Sequence, residues 1–370
     1  MNNLEDLRSG RLAGATRFVL AAGLTDFPRE IFELSATLEH LDLAGNALSS
    51  LPDDFYCLKQ LRVLFCAGNK FTELPAVLGK CPKLQMLGFR NNLIETVPGT
   101  SLGQSLRWLI LTGNRITELP SEIGLCTALQ KVALAGNQLT DLPVQMAACT
   151  KLELLRISAN RFETLPAWLM AMPRLAWLGF GGNPFSARAE TSALTESVVQ
   201  DILWSTLVIH PEKKLGEGAS GVIYQASCIP STGKDVAVKL FKGDMTSDGL
   251  PQSEIAAFLS SGQHPNLIPL IGKVSAHPTG TEALVMPLIE YSNLAGPPNF
   301  QTCTRDVYAT DVRFTLSSAI RIAHSVAGAA NHLHSKFISH GDLYAHNILY
   351  QPSDGHSFLG NCKHKYANYF

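Results

Sequence analysis

Residues 38–48 read LEHLDLAGNAL, and this arrangement of apolar residues followed by an asparagine returns six more times in the first half of the chain. The copies follow L-x-x-L-x-L-x-x-N-x-L, with other apolar residues in place of some leucines. Neighbouring asparagines are 22 or 23 residues apart, an interval too regular to arise by chance. These asparagines are Asn46, Asn69, Asn92, Asn114, Asn137, Asn160 and Asn183.

The repeats predict a stack of short strands with one shared core. The leucines of one turn are covered only when further turns stack above and below it. The asparagine at the strand end is expected to turn inward, where its amide can satisfy backbone groups that would otherwise be buried without partners. A Leu-Pro or Val-Pro pair follows in six repeats, and Phe27-Pro28 keeps this feature in a degenerate first repeat. Because proline fixes φ and lacks an N–H, it suits the irregular outer side of the stack.

By this periodicity residues 17–186 resemble leucine-rich repeat proteins, which implies an α/β solenoid of horseshoe shape. The side chains that alternate with the leucines are expected to be exposed on the concave face of the sheet. Five of them form an apolar track that has two explanations: a docking surface for a partner protein, or packing against the second domain of the same chain. The track comprises Phe65, Met86, Trp108, Ile110 and Trp177.

Composition narrows the class of protein. The chain of 370 residues has 30 Lys and Arg against 31 Asp and Glu, so no basic excess points to nucleic acid or to a membrane surface. The eight cysteines form no C-x-x-C pair, and Cys81, Cys126 and Cys149 recur at one position of the repeat, which predicts reduced, buried thiols. No signal-peptide pattern and no run of about 20 apolar residues occurs. We therefore predict a cytoplasmic protein with no membrane span and no nucleic-acid partner.

A linking or capping helix is predicted over residues 187–205, between a repeat domain at 1–186 and a second domain at 206–370. Thr191 or Ser192 could cap its start. Apolar residues at helical spacing support the helix. They are Leu194, Val198, Ile202 and Leu203.

The second domain begins with a glycine-rich stretch, LGEGASGVIY at 215–224. Glycines at this spacing let a strand, a turn and a second strand lie close over nucleotide phosphates. The G-x-G-x-x-G pattern alone is a weak signal, but a dinucleotide site is disfavoured because VIYQAS predicts a strand and not a helix. The residues concerned are Gly216, Gly218, Gly221 and the following Val222.

Two further segments carry charged residues at the spacing that phosphate chemistry needs. Lys239 lies in V-A-V-K, where a strand lysine would hold the α- and β-phosphates of a nucleotide. Glu254 is the only acidic residue of the helix predicted for PQSEIAAFLSS at 251–261 and is the expected ion-pair partner of Lys239. EALVMPLIE at 282–290 predicts a strand that leads into a hinge, with Met286 beside the adenine.

HGDLYAHN at 340–347 predicts a catalytic loop. Asp342 would accept the proton of a substrate hydroxyl, and Asn347 would bind a magnesium ion. Either residue alone is more often a polar side chain that stabilises a loop. The ordered series of glycine loop, strand lysine, helix glutamate, hinge strand and catalytic loop argues against a chance match.

Together these motifs resemble eukaryotic-type protein kinases over about residues 206–360, and the two-part organisation resembles soluble leucine-rich repeat kinases of the Ser/Thr type. The resemblance implies an α+β kinase-like domain with a complete N-lobe and only the start of the C-lobe, and ATP and Mg²⁺ as ligands. It implies catalytic roles for Lys239, Glu254 and Asp342, and a metal ligand in Asn347. The implied nucleotide-binding residues are Gly216, Gly218, Gly221, Val222, Ala237, Lys239, Met286 and Leu288.

The chain departs from the family pattern at two places in the loop. Gly341 stands where the family has an arginine, which removes the usual contact with a phosphorylated activation loop. Tyr344 stands where Ser/Thr kinases have a lysine that steadies the γ-phosphate, and it does not match the tyrosine-kinase pattern either. HGDLYAHNIL also resembles the loop of aminoglycoside-type small-molecule phosphotransferases, although the glycine loop, V-A-V-K and H-P-N-L-I favour a protein kinase.

The largest departure concerns the D-F-G motif that the resemblance predicts near residues 361–363. The chain has Asn361, Cys362 and Lys363 there, and no A-P-E segment follows. The missing aspartate would hold magnesium against the β- and γ-phosphates, so we expect feeble turnover or none. Two hypotheses of different class follow: a protein kinase whose repeats recruit protein partners, and a catalytically impaired scaffold that keeps ATP binding.

Overall fold

The computed structural model describes residues 3–365 apart from 198, 219, 229–234, 244, 246–248, 300, 301, 303–305, 311 and 361–363. Two units are distinguished, Met1–Leu175 and Ala176–Phe370. The predicted D-F-G position, Asn361 to Lys363, lies outside the described residues. A short helix, α1 (Leu4–Arg8), precedes the first repeat.

One short strand per repeat forms a parallel sheet whose order follows the chain. The central residues of neighbouring strands lie side by side, as Leu41 does with Leu64 and Leu64 with Leu87, and these three leucines are fully buried. The predicted solenoid is therefore confirmed, with the degenerate first repeat contributing a strand of its own. The strands are β1 (Arg17–Val19), β2 (His40–Asp42), β3 (Val63–Phe65), β4 (Met86–Gly88), β5 (Trp108–Ile110), β6 (Lys131–Ala133), β7 (Leu154–Arg156) and β8 (Trp177–Gly179).

The prolines of the repeats mark the start of short 3₁₀ helices on the outer side. In six of these seven helices the residue before the first helical position is the predicted proline. The fixed φ of proline suits this entry, and its missing N–H would have no partner in a first turn. The helices span Arg29–Leu34, Phe55–Cys57, Ala76–Lys80, Gly99–Ser101, Ser121–Leu125, Val144–Ala148 and Ala167–Ala171.

The repeated asparagines turn inward, as the sequence predicted. Asn137 is 7% exposed, and its amide nitrogen donates to the carbonyls of Leu111 and Leu134 at 3.0 and 2.9 Å. Its amide oxygen accepts from the N–H of Ile116 at 3.0 Å. The asparagines from Asn46 to Asn160 make the same kind of bond to the repeat before their own, so they form a ladder through the array.

The cysteines that recur at one position of the repeat are buried thiols, as predicted. Burial raises the pKa of Cys81 to about 12 and the pKa values of Cys126 and Cys149 to about 11. These thiols therefore stay protonated at neutral pH and behave as small apolar side chains. Among the described residues Cys57 is an exposed free thiol.

The expectation that the concave apolar track is exposed is wrong for three of its five residues. Met86, Trp108 and Trp177 are between 5% and 8% exposed. The ammonium of Lys131 lies 4.7 Å from the ring centroid of Trp108 and covers part of it. The ring of Trp177 lies 5.3 Å from that of Tyr344, so packing within the chain accounts for this tryptophan. The other two, Phe65 and Ile110, are half-buried.

The second unit contains a mixed six-stranded sheet in the order β10-β11-β12-β14-β13-β9. Antiparallel pairing joins β10, β11, β12, β14 and β13, whereas β9 pairs in parallel with β13. One face of this sheet packs around a cluster that includes Val238, Val285 and Ala226. The strands are β9 (Gln200–Leu203), β10 (Leu207–Glu217), β11 (Gly221–Cys228), β12 (Asp235–Phe241), β13 (Gly272–Ser275) and β14 (Ala283–Pro287).

The linking helix is shorter and begins earlier than the sequence predicted. Helix α2 spans Pro184–Glu196, and Asn183 with Ser186 forms a capping box at its start, so neither Thr191 nor Ser192 is the cap. Ile202, predicted on the helix, lies in strand β9 and in the sheet core. Its pairing with β13 overrides the helical spacing, because a strand that can join a sheet edge satisfies its backbone there.

The remaining helices carry the predicted site segments. Helix α3 spans Pro251–Ser261, as predicted, and α4 spans Leu316–Ser335. Short strands follow: β15 (Ser292–Asn293), β17 (Ile348–Tyr350) and β18 (Ser357–Leu359) form one sheet, while β16 (Ile338–Ser339) pairs with β19 (His364–Lys365). Apolar side chains of α4 line a groove of about 510 Å³, and Leu316 at the helix start is 77% exposed.

Among the described residues, no helix combines the length and the apolar character that crossing a bilayer requires.

Candidate nucleotide and catalytic site

The glycine-rich loop joins β10 to β11, and its three glycines differ in what they allow. The N–H of Gly218 donates to the carbonyl of Gly221 at 2.9 Å, which closes the turn. A Cβ on Gly221 would lie 2.5 Å from the carbonyl oxygen of Leu240, so close strand packing requires glycine there. A Cβ on Gly216 or Gly218 would meet nothing within 4 Å, which leaves the backbone of the loop open to a ligand.

Lys239 and Glu254 meet in the interior of the second unit. The Lys239 ammonium donates to the Glu254 carboxylate, and the two residues are 3% and 5% exposed. Lys239 is held by the centre of β12, and Glu254 by the first turn of α3. Since a buried charge without a partner is very costly, strand and helix are tied together by this pair. The lysine ammonium also lies 5.0 Å from the centroid of the Phe241 ring.

The other residues expected to bind the nucleotide, with Met286 beside the adenine, lie on β11, β12 and β14 or next to them. Ala237 and Met286 are register partners across these strands and are both buried. They share an apolar cluster with Ile255 and Phe258 of α3. Val222 on β11 and Leu288 after β14 are half-buried.

The loop after β16 holds Asp342, expected to act on the acceptor, and Asn347, expected to bind the metal. His340 donates from Nε2 to the carbonyl of Gly360, and its Nδ1 accepts from the N–H of Asp342 at 3.3 Å. Asn347 donates its side-chain amide to the carbonyl of Asp342 at 2.9 Å, so the two proposed functional residues are adjacent. Gly341 has a φ of 69°, in the left-handed region. A glycine in place of the family arginine is therefore matched to the local backbone.

Asp306 contacts the catalytic loop, although no motif in the sequence predicts this contact. Its carboxylate accepts from the N–H of Ala345 and contacts Nδ1 of His346, both at 2.5 Å. It lies about forty residues before the loop, in a segment without any motif, so only the folded structure brings it there. The contact fixes the stretch between Asp342 and Asn347.

These residues suit a nucleotide with a divalent cation. The absence of side chains on Gly216 and Gly218 lets phosphate oxygens approach the loop closely, and the buried ammonium of Lys239 offers them a positive charge. Asn347 would supply an amide oxygen to Mg²⁺, which prefers oxygen ligands and usually keeps water and phosphate oxygens among them. Among the described residues, no three His, Cys, Asp or Glu side chains form a metal cluster.

Fold and site together define two kinds of domain: a leucine-rich repeat solenoid and a protein-kinase-type domain. The family described as protein tyrosine and serine/threonine kinase matches residues 209–356, and the leucine-rich repeat family matches residues 37–58 and 105–126. The chain therefore contains leucine-rich repeats and a protein kinase domain, which confirms the predicted fold class.

Known proteins of both kinds are similar to the chain. It is 32% identical over 145 residues to the serine/threonine-protein kinase KIN28 of Saccharomyces cerevisiae, covering 38% of this chain and 42% of that protein. It is 30% identical over 159 residues to the tyrosine-protein kinase receptor TYRO3 of Danio rerio, covering 41% and 18%. The solved structure of the Leptospira interrogans LRR protein LIC12759 shares 22% identity with a TM-score of 0.37, covering 49% and 58%. The chain thus spans less than half the length of the curated relatives it matches.

Proposed function

We propose that this protein is an ATP-dependent protein kinase that phosphorylates serine or threonine hydroxyls, and that its repeats recruit a protein partner. The observation that carries the proposal is the buried ion pair between Lys239 and Glu254 beside an open glycine loop. A buried lysine held by a helix glutamate is the arrangement that kinases use to grip the α- and β-phosphates.

In this mechanism the chain's own groups bind, orient and accept a proton. Lys239 holds the nucleotide phosphates, and the glycine loop lies over them. Asp342 accepts the proton of the acceptor hydroxyl while the acceptor oxygen bonds to the γ-phosphorus and the bond to the β–γ bridging oxygen breaks, releasing ADP. Asn347 would bind Mg²⁺ through its amide oxygen. When bound, the metal offsets the charge that develops on the phosphates.

The serine/threonine assignment is supported by the similarity to KIN28, although the relatives also include a tyrosine kinase. Tyr344 replaces the lysine expected of Ser/Thr kinases, and its ring packs against Trp177. The γ-phosphate must therefore be steadied by Lys239, the glycine loop and the metal. This departure lowers the turnover that we expect.

Phosphate transfer from Mg-ATP to a generic protein substrate tests the proposal. We expect slow transfer by the purified chain, and a loss of roughly 10²-fold to 10⁴-fold in Asp342→Asn, because the proton acceptor is removed. The variant should still bind nucleotide, since Lys239 and the glycine loop are unchanged. Phosphoamino-acid analysis of the product separates serine and threonine from tyrosine.

A second candidate function is a scaffold that binds ATP without transferring phosphate. Asn361 in place of the metal-binding aspartate favours it. Nucleotide binding with no transfer in the wild-type chain would support the scaffold and contradict the kinase proposal. Transfer to an aminoglycoside but not to protein would favour a small-molecule phosphotransferase.

The partner surface we propose is the concave face of the repeat sheet. Helix α2 links the repeats to the kinase domain, whose sheet already includes β9. Repeat arrays of this type commonly bind proteins, and Phe65 and Ile110 keep part of their surface exposed. We also propose a cytoplasmic location, which suits the buried, reduced thiols of the repeats.

Alanine substitutions separate partner binding from internal packing. Phe65→Ala with Ile110→Ala should abolish a cross-linked partner and leave the melting temperature nearly unchanged. Trp108→Ala should lower the melting temperature, because this ring is 7% exposed and packs against Lys131. An unchanged cross-linking pattern in the double variant would argue against the concave face as the docking surface.

A further inference from the structure

A buried carboxylate on α2 bridges two parts of the second unit. Glu190 is 8% exposed, and its Oε1 accepts from the backbone N–H of Gly182 at 3.0 Å. Its Oε2 accepts from the hydroxyl of Ser253 at 2.7 Å. Gly182 precedes α2, in the loop after the last repeat strand, and Ser253 lies in the first turn of α3. One side chain therefore links the end of the repeats to the helix that carries Glu254.

The two hydrogen bonds are of the strong kind. Bonds to an ionised acceptor are shorter and stronger than those between neutral groups, and burial keeps water from competing for them. The charge also lies towards the start of α3, whose first residues are preceded by Leu250, a residue that makes no side-chain cap. Negative charge near a helix N-terminus is favourable because the backbone N–H groups there point outward.

Apolar packing reinforces the same contact. Leu194, one turn further along α2, packs against the cluster that contains Ile255 and Phe258 of α3 and Met286 of β14. Helix α2 therefore holds α3 at two points, one polar and one apolar. Neither contact involves Lys239 or the catalytic loop.

Ser253 and Glu254 are consecutive, so they point to adjoining sides of α3, about 100° apart around the helix axis. Ser253 faces α2, and Glu254 faces Lys239 on β12. An outward turn of α3 that breaks one contact would disturb the other. The contacts with Glu190 and with Lys239 therefore fix the orientation of α3 together.

We infer that Glu190 is a positioning residue for phosphoryl transfer: through Ser253 it holds α3 in the orientation in which Glu254 engages Lys239. The inference deepens the proposed kinase function and rests on it for its consequence in activity. The effect of Glu190 on the Lys239–Glu254 ion pair can be measured without nucleotide.

Labelling of Lys239 by an amine-reactive reagent, followed by peptide mass spectrometry on the full chain, is the decisive readout. The variants are Glu190→Gln and Ser253→Ala, with Glu196→Gln as the matched control, since Glu196 is the exposed last residue of the same helix. We expect labelling of Lys239 to rise about tenfold in the first two variants, because a charge-assisted hydrogen bond is lost, and to stay unchanged in the control. The double variant should label no faster than the faster single variant.

If Glu190 only stabilised the domain as a whole, the labelling pattern would be different. General loosening of the domain would also expose Cys228, a buried thiol of the sheet core, to a thiol reagent. Equal gains at Lys239 and Cys228, unchanged labelling of Lys239, or additive effects in the double variant would each overturn the inference.

Measurements of activity distinguish the positioning role of Glu190 from the proposed kinase function. In Glu190→Gln and Ser253→Ala we expect kcat to fall about tenfold with the KM for the protein substrate unchanged, because the phosphates and not the acceptor are misplaced. If the wild-type chain transfers no phosphate, the kinase proposal fails. The labelling result then still decides whether Glu190 positions α3.

Discussion

Lys239→Met should abolish phosphate transfer and destabilise the kinase domain by about 3–5 kcal/mol. The substitution removes the phosphate-binding ammonium, and it leaves the carboxylate of Glu254, 5% exposed, without its buried partner. We expect the transfer rate to fall by at least about 10²-fold. Urea unfolding followed by circular dichroism measures the stability, and transfer from Mg-ATP measures the rate.

A second substitution separates these two effects. Lys239→Met combined with Glu254→Leu replaces the ion pair with apolar side chains, and such replacements are often neutral or stabilising. The double variant should therefore recover the stability but not the activity. Lys273→Met is the matched control, because Lys273 lies on a strand of the same sheet and forms a partly exposed ion pair with Glu282, which contributes little stability. Full activity in Lys239→Met would contradict the site assignment.

Asn137→Ala should destabilise the repeat array by about 3–6 kcal/mol, as three hydrogen bonds to buried backbone groups are lost together. The N–H of Ile116 is left without this partner, whereas the carbonyls of Leu111 and Leu134 each keep one hydrogen bond, from Asn114 and Asn160. Because each repeat packs only against its neighbours, the loss of stability should be confined to this repeat and the two adjoining ones. Hydrogen exchange measured by mass spectrometry on peptides of β5 to β7 should show the loss of protection.

Thr140→Ala is the control for this prediction, since Thr140 lies in the same repeat and is exposed. Its effect should stay within about 0.5 kcal/mol. Protection in β5 to β7 that is equal in Asn137→Ala and in Thr140→Ala would show that the asparagine ladder does not stabilise the array.

Much of the architecture is predictable because the signals are local and periodic. The inward turn of Asn137, the position of the prolines on the outer side and helix α3 at its observed bounds all depend on spacing that the chain itself displays. The linking helix is where prediction went wrong: Ile202 continued a helical pattern, yet lies in a strand that pairs with β13. Pairing with a strand seventy residues away leaves no trace in a local pattern.

The candidate site, too, is predictable from the sequence only in part. The chemical groups of the site are predictable, since a glycine loop, a strand lysine, a helix glutamate and an aspartate with an asparagine are recognisable from residue type and spacing. Which of these groups meet, and which other residues hold them, depends on the packing of the folded chain. Lys239 and Glu254 lie on separate elements, Asp306 reaches the catalytic loop from forty residues away, and Glu190 reaches Ser253 from another helix. The spacing of residues along one element follows from the backbone geometry of that element. Contacts between distant segments depend instead on how whole elements pack.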